Sequence, residues 1–273
     1  MPELPEVETV VRGLREPLIG RTVQSMWYDP TSLRTIHSPS PEQFAAQIEG
    51  QTFRAIGRRA KYILCQLDHD LLVVHLKMTG RLYVVANEAV TEADRWLHFC
   101  LQLDNGTQLR FSDARKFGFV SLTPTFEQIA PELGPEPLAD EFTAEVLRQR
   151  LRGHNKSIKA LLLDQAFVAG VGNIYADEAL YRAQISPLRP ASQLSDTEIE
   201  ALHQAIRDAL NLGIVQEGAS INWYRKPDGT PGEAQKHLYV YGRDGEPCER
   251  CGETIVKIRV AQRGTHYCPS CQQ

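Results

Sequence analysis

Long hydrophobic runs are missing from this chain. No stretch of its 273 residues approaches the length of a membrane span, and no cleavable signal peptide precedes its amphipathic first helix. A cytosolic protein with no membrane partner is therefore expected. An excess of positive charge is missing too. The 30 Lys and Arg against 34 Asp and Glu leave a net charge of −4, which on its own argues mildly against a nucleic-acid partner. The distribution matters more than the sum. Arg54, Arg58, Arg59 and Lys61 cluster, as do Arg110, Arg115 and Lys116, while acidic residues gather at 88–94 and 132–145. Basic sites on a neutral-to-acidic body are compatible with a local groove for a polyanion.

Cysteine is scarce before residue 248. Cys65 and Cys100 sit inside apolar runs and are most simply buried free thiols. The other four form Cys248-x2-Cys251 and Cys268-x2-Cys271 with sixteen residues between the pairs, the spacing of a four-thiolate zinc site. In a cytosolic chain disulfides are the poorer explanation. With every ligand position filled by protein, the expected cofactor is one structural Zn2+. Between the pairs, 254–260 reads as one strand of a hairpin, with a turn at Gln262-Arg263-Gly264 and a return through 265–267. That puts Arg263 at the tip, either as a solvated arginine or as a phosphate contact.

The first residues, Met1-Pro2-Glu3-Leu4-Pro5-Glu6, carry the other chemical signal. Pro5 suits the first turn of a helix, and Leu4, Val7, Val11, Leu14 and Leu18 recur at helical spacing until Gly20. Glu3 and Glu6 lie at the positive end of that helix, where a carboxylate is favoured by roughly 0.3–1 kcal/mol. The plain reading makes them helix-start residues and nothing more. Once Met1 is removed, which the small Pro2 permits, the chain begins instead with a secondary amine between carboxylates. Such an amine can attack an electrophilic carbon and form an iminium; with Met1 in place the nitrogen is an inert amide.

Residues 22–122 read mostly as strands, at 22–28, 51–56, 62–67, 71–76, 96–103, 108–111 and 119–122, with hairpin turns at Asp68-His69-Asp70 and Asp104-Asn105-Gly106. An antiparallel sandwich or barrel is expected, interrupted by a short helix at 41–48 behind Ser40. The proline-rich run 131–137 marks a boundary. Beyond it, helices are expected at 142–151, 158–165, 174–183 and 195–215, the last opened by Ser195-Asp196-Thr197-Glu198. Ala169-Gly170-Val171-Gly172-Asn173 forms a two-glycine turn with Asn173 placed as N-cap, an arrangement able to offer backbone N–H groups to phosphate. Residues 217–235 read as one long loop, of the kind that is functional or disordered.

MPELPEVETV at the start, LGPEPL at the boundary, VAGVGNIYADEAL at the glycine turn and YVYGRDGEPCERCG with QRGTHYCPSC at the end occur in order along the whole chain. Together they resemble the formamidopyrimidine-DNA glycosylase family, bacterial base-excision enzymes for oxidised purines. The resemblance implies an α+β multidomain fold: an N-terminal antiparallel β-sandwich with an N-terminal helix (1–130), a helix–two-turn–helix domain including a lid loop at 217–235 (131–235), and a C-terminal zinc ribbon (236–273). It implies a monomer bound to double-stranded DNA in the cleft between domains. The activity implied is excision of 8-oxoguanine and formamidopyrimidines, followed by nicking of the abasic site by β,δ-elimination.

Residue by residue, the resemblance makes Pro2 the nucleophile that holds the sugar as a Schiff base. Glu3 becomes the carboxylate that assists ring opening and shuttles protons, and Glu6 a further carboxylate near the pocket. Lys61 matches a phosphate-contacting lysine assigned to β-elimination, and Arg263 the finger-tip arginine associated with δ-elimination. Met78, Arg115 and Phe117 match a triad that fills the gap left by an extruded base. His98, Lys156 and Asn173 align with DNA-backbone contacts. Two departures stand out. Asn222 and Thr230 replace basic residues that many relatives carry in the 217–235 loop, which leaves base preference open. His154-Asn155-Lys156 replaces a denser lysine run, so a shallower salt dependence is expected. The alternatives are an endonuclease VIII-like enzyme for oxidised pyrimidines, disfavoured by Leu4 and by Met78, Arg115 and Phe117, a non-catalytic DNA-binding relative, and a proline-amine enzyme for small carbonyls that would give the zinc ribbon no purpose.

Overall fold

The computed structural model describes the backbone of residues 1–273 and every side chain except that of Leu33. It begins with helix α1 (Leu4–Leu18), opened by a reciprocal capping box between Glu3 and Glu6 and by Pro5, whose missing N–H costs nothing in the first turn. The five apolar residues expected on one face of α1 are all fully buried. There follow β1 (Val23–Tyr28), β2 (Ile36–Ser38), α2 (Pro41–Ile48), β3 (Ala55–Arg59), β4 (Tyr62–Gln66), β5 (Leu71–His75), β6 (Gly80–Ala86), β7 (Leu97–Leu103), β8 (Thr107–Asp113) and β9 (Phe119–Thr123).

These strands make two sheets, ordered β1-β7-β8-β6 and β2-β9-β5-β4-β3. One apolar core draws on both sheets and on α1 and α2, including Val7, Leu14, Phe44, Phe53, Phe99, Phe111 and Val120. Three expectations need correction. The pairing is not wholly antiparallel, because β2 runs parallel to β9. Strand β6 was not foreseen, although it pairs with β8 along its whole length. The strand expected at 51–56 begins only at Ala55, because Gln51 and Phe53 bond across to Val23 and Arg21 in an irregular crossing instead of a ladder.

The chain continues through α3 (Ala144–Leu151), α4 (Ile158–Leu162), α5 (Asn173–Ala183), α6 (Asp196–Val215), β10 (Val256–Val260) and β11 (Arg263–Tyr267). Helix α6 is opened by the expected capping box, and Ile199, Leu202, Ile206 and Leu210 are buried along one face. Helix α4 stops earlier than expected. The Gln165 side chain instead closes the glycine turn, donating to the carbonyls of Leu163 and Val171 and accepting from Gly170 N–H. Gly172, not Asn173, is the N-cap of α5.

Compactness divides the chain into Met1–Pro131 with Glu217–Glu233, and Glu132–Gln216 with Ala234–Gln273. The loop placed with the helices on sequence grounds thus groups almost entirely with the first unit. Tyr224 is the physical reason: its ring joins that unit's apolar core. Among the described residues no helix is long and apolar enough to cross a membrane.

Candidate active site

At the start of the first unit, Pro2, Glu3 and Glu6 are buried while Met1 is 50% exposed. Glu6 holds backbone N–H groups from two segments. One carboxylate oxygen accepts the backbone N–H of Glu3 at 2.7 Å, and the other accepts that of Ala219, in the 217–233 segment, at 2.8 Å. Both are bonds to a charged-type acceptor out of reach of water, the stronger kind. The segment is closed on itself around this point. The Tyr224 hydroxyl donates to the Glu217 carbonyl at 3.1 Å, and burial, then the Glu6 charge, pushes that phenol upward. Gly232 has no room for a side chain, since a Cβ there would lie 2.2 Å from the Glu217 carbonyl oxygen.

An open cavity of about 240 Å³ lies beside the segment, lined by Thr79, Arg81, Glu92, Trp96, Trp223 and Arg225 among others. Trp96 and Trp223 meet edge to face across 5.6 Å, and the Arg95 guanidinium stacks 3.8 Å over Trp96. Nothing in the sequence pattern singled out these aromatics. The pair joins positions 127 residues apart, taking the difference of their numbers.

Lys61 is buried in the turn between β3 and β4, next to Ala60 in the left-handed region at φ +52°. Arg58 braces that turn, reaching the Ala60 carbonyl at 2.9 Å and Glu8 at 3.3 Å. Met78 and Phe117 are 39% and 53% exposed at loop tips rather than packed in the core, and Arg115 is exposed between them. The Arg115 guanidinium donates to the Met78 sulfur at 3.1 Å and lies 4.9 Å from the Phe117 ring centre. His98 is different. Its ring is buried, with Nδ1 3.0 Å from Asp29 and Nε2 3.0 Å from the Asp113 carbonyl, so a phosphate contact would require one of these bonds to be given up. Arg110 also departs from expectation. It is buried and bound to Asp94 and to the carbonyls of Asn87 and Ala89, which removes it from the basic surface. Cys65 and Cys100 are buried thiols as expected, and burial pushes Cys65 up to about 12.

In the second unit the four cysteines converge, with all ligand sulfurs within 4.8 Å of one another. Cys251 to Cys268 spans 3.5 Å and Cys248 to Cys271 spans 3.9 Å. A tetrahedron with Zn–S bonds of 2.3 Å has edges of about 3.8 Å, so the donor set fits one zinc ion. The Tyr181 hydroxyl lies 3.4 Å from the Cys248 sulfur and the Cys271 N–H donates to the Cys268 sulfur, the outer contacts that orient thiolate ligands.

The hairpin between the cysteine pairs turns one residue earlier than expected. Val260 pairs with Arg263, so Ala261 and Gln262 form the tip, at φ +48° and +60°, and Arg263 opens the return strand. Arg263 and Lys156 are exposed. Asn173 ties the glycine turn to the hairpin by donating to the Gly264 carbonyl at 2.9 Å. Beneath it, the fully buried Lys159 reaches Asp177 at 2.5 Å and the Thr265 hydroxyl at 2.7 Å, and Asp177 also accepts His266 N–H. Glu178 accepts the backbone N–H groups of Tyr239, Val240 and Tyr241. Lys159, Asp177 and Glu178 were not singled out from sequence. Charged residues inside the apolar rhythm of 158–183 were the available signal.

Residues 1–120 match the formamidopyrimidine-DNA glycosylase N-terminal domain, 133–224 its H2TH domain, and 245–273 the zinc finger found in FPG and IleRS. The formamidopyrimidine-DNA glycosylases of Symbiobacterium thermophilum and Chloroflexus aurantiacus are each 49% identical over all of this chain, covering 89% and 98% of those proteins. A Lactococcus lactis FPG variant in complex with Fapy-dG-containing DNA matches with a TM-score of 0.92 and 39% identity over both full chains. The same bacterium's FPG with DNA containing an oxidised pyrimidine matches at 0.90 and 38%, again over both full chains. The chain belongs to the formamidopyrimidine-DNA glycosylase family.

Proposed function

We propose that this chain is a cytosolic base-excision enzyme that removes oxidised purines from duplex DNA and nicks the resulting abasic site, with Pro2 as its nucleophile once Met1 is gone. The observation that carries the reading is a buried Pro2 at the N-terminus of α1, flanked by the buried carboxylates Glu3 and Glu6, on a chain of this family. The Pro2 nitrogen lone pair attacks C1′ of the damaged nucleotide and the bond from C1′ to the base breaks, the base leaving with that electron pair and a proton. Ring opening places a proton on O4′ and leaves an iminium between C1′ and Pro2. Glu3, beside the developing cation, stabilises it and hands on protons. Loss of a C2′ proton expels the 3′-phosphate, a second elimination expels the 5′-phosphate, and water releases the amine.

The resemblance supports the remaining roles. Lys61 and Arg263 serve the phosphates that leave in the two eliminations. Met78, Arg115 and Phe117 occupy the space vacated by the extruded base, and Lys156 and Asn173 hold the DNA backbone, with His98 acting from inside the fold. A division near residues 131 and 235 into β-sandwich, helix–two-turn–helix and zinc-ribbon parts serves the same function. One structural zinc, held by Cys248, Cys251, Cys268 and Cys271, would fix the hairpin that carries Arg263 and leave the chemistry to the amine.

The test is borohydride trapping on a duplex with one 8-oxoguanine opposite cytosine, using protein shown by mass spectrometry to lack Met1. A covalent adduct mapping to residue 2, and absent in Pro2→Gly, is expected. No adduct on that lesion, on an oxidised pyrimidine or on an abasic site would refute the amine mechanism. An adduct formed faster on the pyrimidine would reassign the substrate.

A further inference from the structure

Two loops of the first unit carry the exposed Met78, Arg115 and Phe117, and both are bound to one carboxylate. Asp113, the last residue of β8, is 1% exposed. One of its oxygens accepts the N–H groups of Phe117 at 2.8 Å and Gly118 at 2.6 Å; the other accepts the N–H of Arg115 at 3.1 Å and the hydroxyl of Thr79. Thr79 belongs to the other loop, next to Met78, is buried, and its oxygen also accepts Arg115 N–H at 3.1 Å. The carboxylate therefore closes the Arg115–Phe117 loop on itself and the hydroxyl clips that loop to Met78. Gly118 shows how tightly the loop is drawn in. A Cβ there would meet the Phe111 ring at 2.7 Å, the His75 carbonyl at 3.0 Å and the Asp113 carboxylate at 3.1 Å.

Side chains that enter a base stack must offset the cost of unstacking, and loops that first had to be ordered would add an entropic cost to that. A buried charged acceptor with four donors removes the second cost before DNA arrives. We propose that Asp113 and Thr79 are positioning residues for base extrusion, a clamp that holds Met78, Arg115 and Phe117 as one rigid wedge. The proposal rests on the wedge role given to those three side chains above. Asp113 and Thr79 act through them and take no part in the amine chemistry.

The test compares Asp113→Asn, Thr79→Val, Thr79→Ser and Phe117→Ala in two assays on Met1-free protein. One follows 8-oxoguanine excision from a duplex that carries 2-aminopurine beside the lesion, whose fluorescence reports unstacking. The other follows nicking of a single-stranded abasic oligonucleotide, where no base has to be turned out. Asp113→Asn and Thr79→Val are expected to lower the ratio of duplex to single-strand rate, and to slow the fluorescence rise, by about tenfold to a hundredfold, as loss of hydrogen bonds to a charged group implies. Thr79→Ser, which keeps the hydroxyl, should restore the ratio. An unchanged ratio in Thr79→Val overturns the clamp even if Asp113→Asn does not fold, as does an equal fall on both substrates, which would mark a merely structural role. If Phe117→Ala lowers the ratio and the clamp variants do not, the wedge stands without the clamp. If Phe117→Ala leaves the ratio unchanged, the wedge reading itself fails and the clamp with it.

Discussion

His75 should make the first unit acid-sensitive well above the carboxylate range. Its ring is buried at the end of β5, edge-on to Tyr62 at 4.5 Å and stacked near Phe119, and its Nδ1 accepts the N–H of Lys77 at 2.9 Å. Burial, reinforced by the charges of Lys77, Lys61 and His37, pushes its pKa from 6.5 down to about 3. Above pH 6.5 the ring is neutral in folded and unfolded chains alike. Below it, the unfolded chain takes up a proton that the folded ring refuses, so stability falls as pH falls from 6.5 and stops falling near 3. Each pH unit inside that window costs about 1.4 kcal/mol, and the step from pH 7 to pH 5 costs about 2 kcal/mol. For a unit of roughly 150 residues that is a drop of about 4–8 °C in unfolding midpoint. His75→Gln keeps an oxygen that can accept from Lys77 but takes up no proton. Urea unfolding of both proteins at pH 7 and pH 5 should show the native protein losing about 2 kcal/mol more than the variant. Equal losses would refute the assignment.

Two further outcomes are expected. Stripping zinc with a strong chelator removes roughly 10 kcal/mol or more of binding free energy coupled to folding; the second unit's unfolding midpoint and duplex binding should both collapse and return on adding Zn2+, and gel-shift binding that survives verified metal loss would contradict a structural metal. Glu178→Ala takes this acceptor from one buried and two partly buried N–H groups, at a cost of about 1–3 kcal/mol by urea unfolding, and a loss well below about 1 kcal/mol would show that water replaces the carboxylate.

Helix α6 was legible because an apolar stripe and a capping box agree, and α1 because its stripe begins at a proline suited to a first turn; the reciprocal Glu3–Glu6 cap of α1 came only from the structure. The zinc ligands were legible because thiolate spacing is local as well. Strand β6 was missed because it begins on Gly80, immediately after the loop tip that holds Met78, and its pairing with β8 is set by tertiary contacts. The hairpin register was misplaced by one residue because its two-residue tip is Ala261-Gln262, without the Asn or Gly that ordinarily announces positive φ. The basic cluster around Arg110 misled for a related reason, since the guanidinium is turned inward to loop carbonyls that no periodicity reveals. The contacts of Glu6 with Ala219 and of Asp113 with Thr79 join residues far apart in sequence. One chain shows such residues as isolated polar positions.

The seat of Tyr224 in the core of the first unit bears on how the chain is made. The first 131 residues leave the ribosome with their strands complete but with that seat empty, since the segment that fills it comes after Gln216. At ordinary translation speeds of about 5–20 residues per second, the wait is on the order of 5–20 s. During that interval an apolar opening next to α1 faces solvent and is open to chaperones. A gene fragment ending near residue 131 would lack the segment that fills that seat, so the compact unit is not one continuous stretch of sequence.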